Sequence, residues 1–270
     1  MKVASRLLAG ALLAGAVTVA AAPAMPATPS AAAAAAATGP GTAAAAGNLY
    51  RQALTTTRSW SVHYVSSSTQ TTSGVKVTLL VSGDAGPASG TQSVSFTRGS
   101  ATGAITIDVI GGITYVMGDV SGLENLAGLS APQAVATAGK WIDFATTNAA
   151  FAPVVAGVRS HDIAQELALQ GPLTLGRPRT IDGIAVLAIE GTESSTASGS
   201  GSGNGTGHGT HPRAVLYVRA HGRHLPVEED SVSAKGQPNG ALHVTYSSWG
   251  ERVRPQAPLA AVSIGPVTTT

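Results

Sequence analysis

AITIDVIGGITYVMG, residues Ala104–Gly118, decides how the rest of the chain is read. Ile105, Ile107 and Val109 alternate with Thr106, Asp108 and Ile110; after Gly111-Gly112, Ile113, Tyr115 and Met117 alternate with Thr114, Val116 and Gly118. A period of two on both sides of a turn is the signature of paired strands. A Gly-Gly pair adopts the positive φ values of a type I′ or II′ turn, so the two runs predict an antiparallel hairpin.

Outward from this hairpin the same period recurs. On the N-terminal side, Trp60, Val62 and Tyr64 alternate with Ser61 and His63. A polar Ser/Thr turn is expected over residues 66–73, then Val75, Val77, Leu79 and Val81 alternate in turn, and Gln92, Val94 and Phe96 follow. Consecutive strands with short turns give an antiparallel meander. Asn48 is placed to cap a short helix running to about Arg58, with Leu49, Ala53 and Leu54 toward the core.

After Gly118 about fifty residues change character. The Leu123/Leu126/Leu129 spacing, Ala131–Ala138, Phe151–Val158 and His161–Leu169 read as short helices, with the strand Lys140–Phe144 among them. Pro132 suits a first helical turn, and Ser160 and Asp162 suit a helix start. Strands resume at Leu173–Pro178, turn at Asp182-Gly183, and return over Ile184–Glu190; Val215–Arg219, His224–Val232 and Leu242–Trp249 complete the pattern. The fold class is therefore α+β, an antiparallel sheet with its helices gathered on one face.

The ends are not domain material. Lys2 and Arg6 precede an apolar run, Leu7–Ala22, that ends in small residues, so residues 1–24 are expected to be a secretory signal peptide, with Pro23 and Pro26 leaving the cleaved bond open. Residues 25–47, rich in Ala and Pro, are expected to be a disordered tether. A single domain is expected over 48–258, with a flexible Gly/Ser loop at 194–212 and a tail at 259–270. No stable transmembrane segment is expected after cleavage.

Composition excludes several classes. With no cysteine there is no disulfide and no N-terminal lipid attachment through a cysteine, so the exported chain rests on its core and is not lipid-anchored. The formal charge of +2 includes Lys2 and Arg6, so the processed chain is neutral and no basic surface argues for nucleic acid.

Catalytic and metal signatures are weak. The glycines at 199, 201, 203, 205, 207 and 209 alternate strictly and never complete a phosphate-binding fingerprint. G-x-S-x-G does not occur. His208, His211, His221 and His224 read as surface histidines on or beside a loop, and the acidic run Glu228-Glu229-Asp230 as a strand followed by a solvated turn. Asn204-Gly205-Thr206 fits a glycosylation sequon of little weight. No enzyme, cofactor or metal is expected; a cleft grouping His63 or His161 with an acid and a serine would reopen the question.

Several pieces carry a family resemblance together. They are the Trp60 strand behind its helix, Gly111–Gly118, Gly139-Lys140-Trp141, the helical insertion, Asp182-Gly183, Leu225-Pro226-Val227, and Tyr246-Ser247-Ser248-Trp249-Gly250. From about Asn48 to Pro258 the chain resembles the LppX/LprG-like exported proteins of actinobacteria, within the LolA-like half-barrel superfamily. That resemblance implies a curved antiparallel sheet, an open half-barrel, with short helices on its concave face and an apolar cavity between them. It implies a non-enzymatic protein, secreted or cell-wall associated, with a lipid or acylated ligand. Trp60, Val62, Tyr64, Ile105, Ile107, Tyr115, Met117, Leu126, Phe151 and Tyr217 are the candidate cavity residues. The missing lipobox cysteine departs from the family's usual membrane anchoring. The rival reading is a cell-envelope module that holds a protein partner through its sheet edge or helices.

Overall fold

The computed structural model describes residues 40–72, 74–147, 152–167, 169–193, 213–232 and 240–263. Residues 1–39, the 194–212 loop with its sequon and two histidines, and the chain end from 264 lie outside the described residues.

The Ala104–Gly118 hairpin forms as expected. β4 (Ala101–Ile110) and β5 (Ile113–Gly118) pair with Ile110 opposite Ile113, and Gly111 and Gly112 have φ of 58° and 83°, the two positive values of a type I′ turn. Around them run β1 (Val62–Thr72), β2 (Val75–Ala85), β3 (Gly90–Arg98) and β6 (Ile142–Ala145), each antiparallel to its neighbour. A second meander follows: β7 (Leu169–Leu175), β8 (Arg179–Ile181), β9 (Ile184–Glu193), β10 (Arg213–Arg219), β11 (Pro226–Val232) and β12 (Gly240–Ser247). β12 pairs with β1 and joins the two halves into one sheet in the order β13-β6-β5-β4-β3-β2-β1-β12-β11-β10-β9-β7, with β8 beside β9. β13 (Val262–Ser263) joins β6 in parallel. The two ends of this order do not meet, so the sheet is an open half-barrel.

Two local expectations are corrected. Ser66–Thr72 is strand and not turn, because β2 and β12 pair with β1 along that length and supply the packing that the small polar side chains lack. The first helix, α1 (Pro40–Ser59), starts eight residues before Asn48, so residues 40–47 are helix and not tether. Proline suits its first turn, and Ala46, Leu49, Ala53 and Thr57 form one buried stripe. Within the expected tail, Val262 of β13 donates its N–H to Trp141 O at 2.8 Å.

Helices α2 (Val120–Asn125), α3 (Ala131–Thr137), α4 (Ala152–Val155) and α5 (Ser160–Glu166) fill the concave side. Asp119 caps α2, its Oδ1 accepting from Gly122 N at 2.5 Å and its Oδ2 from Ala104 N at 3.1 Å. α2 lies so close to β4 that a Cβ on Gly122 would stand 2.2 Å from Ala104 O. Tyr50 on α1 donates to Leu167 O at 2.9 Å and accepts from Leu169 N at 2.8 Å, pinning the exit of α5 to α1.

Candidate functional site

Strand parity builds the interior. Residues directly opposite in adjacent strands share a face, so Ile105, Ile107 and Val109 of β4 stand with Gly118, Val116 and Thr114 of β5. Val62, Tyr64, Ile105, Ile107 and Leu126 are each at most 2% exposed and belong to one core cluster. The other candidates are not brought there. Tyr115 and Met117 face the outer side of β5, opposite Asp108 and Thr106, because a two-residue turn pairs odd positions of β4 with even positions of β5. Tyr217 is also on the outer face, where the Arg179 guanidinium lies 3.5 Å from its ring centre. Burial pushes the Tyr217 phenol up, and Arg179 partly opposes the shift. Trp60 sits before β1, between Arg223 and Gly250, beside an open surface groove. Phe151 lies outside the described residues.

Between helix and sheet runs a seam bounded by Tyr64, Ile163, Glu166, Glu229, Leu242, Val244 and Tyr246, around a space of about 10 Å³. That is room for roughly one water molecule, so along this seam side chains fill the interior. Its polar groups were not read from the sequence. Glu229 is 2% exposed, and Tyr246 Oη donates to its Oε2 at 3.3 Å. Ser231, two positions along β11 on the same face, is also buried, and its hydroxyl has no hydrogen-bond partner among the described residues. Ser66 and Ser68 continue this polar band on β1. Tyr64 Oη accepts from Gln92 Nε2 at 2.7 Å, and burial pushes its phenol far above the ordinary range; nearby Asp84 and Asp162 add to the shift, and the Gln92 bond partly opposes it. The available signal was parity, since Glu229 shares its parity with Val227 and Ser231 and alternates with Glu228 and Asp230.

The outer face holds a second concavity of about 380 Å³ beneath residues 251–255, which gathers His63, Asp84, Thr91, Asp108 and Ser248. His63 Nδ1 and Asp84 Oδ1 are 2.7 Å apart, so a histidine, an acid and a serine do share a cleft. Nucleophilic catalysis needs the serine hydroxyl in contact with the imidazole. No such hydrogen bond to His63 exists among the described residues. His161 bonds to Gln165 on its own helix, at 2.9 Å.

Glu228, Asp230 and His243 also cluster on the outer face, their ligand atoms within 4.8 Å of one another. These groups already have partners: Arg179 pairs with Glu228, and His243 Nδ1 lies 2.8 Å from Asp230 Oδ1. The acidic run is therefore strand throughout, with Glu228 and Asp230 outward and Glu229 inward, in place of the expected strand and solvated turn. Among the described residues no helix is long and apolar enough to cross a membrane.

Fold and site together define an α+β half-barrel whose concave, mainly apolar face is covered by helices and carries buried polar side chains among the described residues, Ser66, Ser68, Gln92, Thr114, Glu229 and Ser231. No family model matches the chain, and no curated protein matches it. Among solved structures it is similar to the lipoprotein LppX of Mycobacterium tuberculosis, at 18% identity over 78% of this chain and 98% of that one, with a TM-score of 0.46. It is also similar to LprF of Mycobacterium bovis, at 13% identity over 80% and 97%, with a TM-score of 0.46. A putative outer membrane lipoprotein-sorting protein domain of Vibrio parahaemolyticus matches at 10% identity over 76% and 92%, with a TM-score of 0.28.

Proposed function

We propose that this chain is a secreted, non-enzymatic protein that binds a lipid or other hydrophobic ligand between the concave sheet and its helices. The observation that carries the reading is the mismatch between the two layers. The sheet is continuous across both meanders, whereas α2 to α5 have only four to seven residues each. Helices that short have no independent stability and hold their place by packing and by tertiary hydrogen bonds such as those of Asp119 and Tyr50. The apolar face beneath them is thus covered by elements that a ligand can displace, and along α5 a small space of about 10 Å³ lies between cover and sheet. Each methylene of an acyl chain buried there contributes about 0.8 kcal/mol.

Native mass spectrometry of the processed protein from its own secreted fraction, followed by organic extraction, tests the proposal. A stoichiometric extractable lipid supports it. A ligand-free protein that instead retains a saturable protein partner with no lipid dependence refutes it in favour of the interaction-module reading.

A further inference from the structure

One end of the half-barrel presents arginines that the fold leaves without acids. α1 and the turn between β10 and β11 meet there, with Thr56 Oγ1 3.4 Å from Arg223 O. Between them runs a surface groove of about 410 Å³ bordered by Asn48, Arg51, Gln52, Thr55, Thr56 and Arg223. No aspartate or glutamate borders it, and none occurs over residues 40–61 or 213–227. Neither arginine has an ion pair among the described residues: Arg51 donates to Asn48 Oδ1, and the Arg223 guanidinium lies 4.1 Å from the centre of the Trp60 ring, which holds it in place. The nearby acids are turned to other sites. On α5, which packs against α1, Asp162 pairs with Arg159 and Glu166 borders the interior seam, while Glu251 borders the separate groove beside Trp60.

The groove is a set of donors. Thr55 and Thr56 direct their own hydroxyl protons to Arg51 O and Gln52 O, each at 2.9 Å, which leaves two guanidinium groups with the Gln52 and Asn48 amides. Paired guanidinium N–H groups match the oxygens of a phosphate. Arg58 is exposed on the same stripe of α1, seven residues and about 10 Å beyond Arg51, and Arg219 opens the β10–β11 turn. The whole chain is nearly balanced, with 16 lysines and arginines against 14 acids, so four arginines from two acid-free segments are a local segregation of charge. We infer that this end of the protein docks on an anionic phospholipid surface, one lipid phosphate seating between Arg51 and Arg223 while Arg58 and Arg219 add attraction across the surface. Charge complementarity selects this occupant, because a membrane offers many phosphates to spread arginines whereas a free anion satisfies the groove alone. Nucleic acid is a poorer fit, since the Trp60 ring lies between Arg223 and Gly250 and is not open to stack on a base. The docking goes beyond the hydrophobic-ligand reading and needs no cavity.

The test is co-sedimentation of the secreted, processed protein with vesicles of phosphatidylcholine, with and without phosphatidylglycerol, at about 0.1 M salt. Binding is expected to the mixed vesicles alone and is expected to be lost at about 1 M salt, where the screening length falls to about 3 Å. Arg51→Gln and Arg58→Gln are each expected to weaken it about fivefold, and Arg223→Gln at least as much. Arg98→Gln, an exposed arginine at the opposite end of β3 from this patch, is expected to leave binding unchanged. Should Arg223→Gln fail to fold for want of its stack on Trp60, the two α1 variants decide the matter. Equal binding to both kinds of vesicle, or full binding by Arg51→Gln and Arg58→Gln, overturns the inference. So does a protein that binds inorganic phosphate through Arg51 and ignores the vesicles, in favour of a free anion. Any of these failures leaves the hydrophobic-ligand reading standing, because extraction of a bound lipid tests that reading separately.

Discussion

Tyr64, Gly83 and Gln92 occupy one row across β1, β2 and β3, and the two side chains meet over the glycine. A Cβ on Gly83 would lie 2.7 Å from Tyr64 Oη, so the contact depends on the missing side chain between them. Both Tyr64 and Gln92 are fully buried, and Gln92 Oε1 has no partner among the described residues. Tyr64→Phe removes the acceptor for Gln92 Nε2 and leaves the amide with neither end satisfied, a loss of about 1–3 kcal/mol. Gln92→Leu removes the donor to the phenol and is expected to cost a similar amount. In the double variant both polar groups are gone, and the loss is expected to stay within about 1 kcal/mol of the milder single variant. The coupling then amounts to about 1–2 kcal/mol. Urea unfolding of the four proteins measures it, and thermal midpoints should fall by roughly 2–4 °C per kcal/mol for a chain of this size. Additivity of the two single losses would show that the bond contributes no coupling, and the account of this row would be wrong.

The same phenol sets an alkaline limit. Because burial raises its folded-state value, Tyr64 stabilises the fold fully below about pH 10, and this contribution falls by about 1.4 kcal/mol per pH unit above it, where the unfolded chain ionises. Denaturation at several pH values above 10 should show the wild-type chain losing stability more steeply than Tyr64→Phe, and parallel curves would exclude the effect. Gly122→Ala places a methyl 2.2 Å from Ala104 O and should destabilise by about 1–3 kcal/mol or more, since neither β4 nor α2 can yield without repacking, as read by equilibrium unfolding. Asp119→Ala removes the cap of α2 together with its bond to Ala104 N and should lower stability by about 1–2 kcal/mol in the same assay, with Asp119→Asn recovering most of the loss.

The fold was legible wherever local chemistry and periodicity agreed. Gly111-Gly112 specified both the turn and its register, and the register in turn settles the faces: with Ile110 opposite Ile113, Ile105 and Ile107 cannot share a face with Tyr115 and Met117. Shared hydrophobicity does not put those four residues on one face; the loop length divides them. Other elements are set by contacts remote in sequence. In Ser66–Thr72 the β-branched threonines favour a strand but no apolar alternation announces one, and pairing with β2 and β12 decides it. The alanines after Pro40 show no amphipathic contrast, yet α1 gains its buried stripe by packing against α5 and β7. A two-residue β13 carries no pattern that could announce it.

Glu229 shows why the site was harder to read than the fold. Three consecutive acids look like a solvated surface, because burying a carboxyl is expensive and most acidic runs avoid it. Alternation in β11 nevertheless sends the middle acid inward with Val227 and Ser231, while its neighbours meet Arg179 and His243 outside. The two outward acids are explained by their ion pairs. The inward one breaks the apolar pattern of the concave face beside a second acid from α5. A residue that violates the local rule inside an otherwise consistent fold is where a functional demand is expected to act.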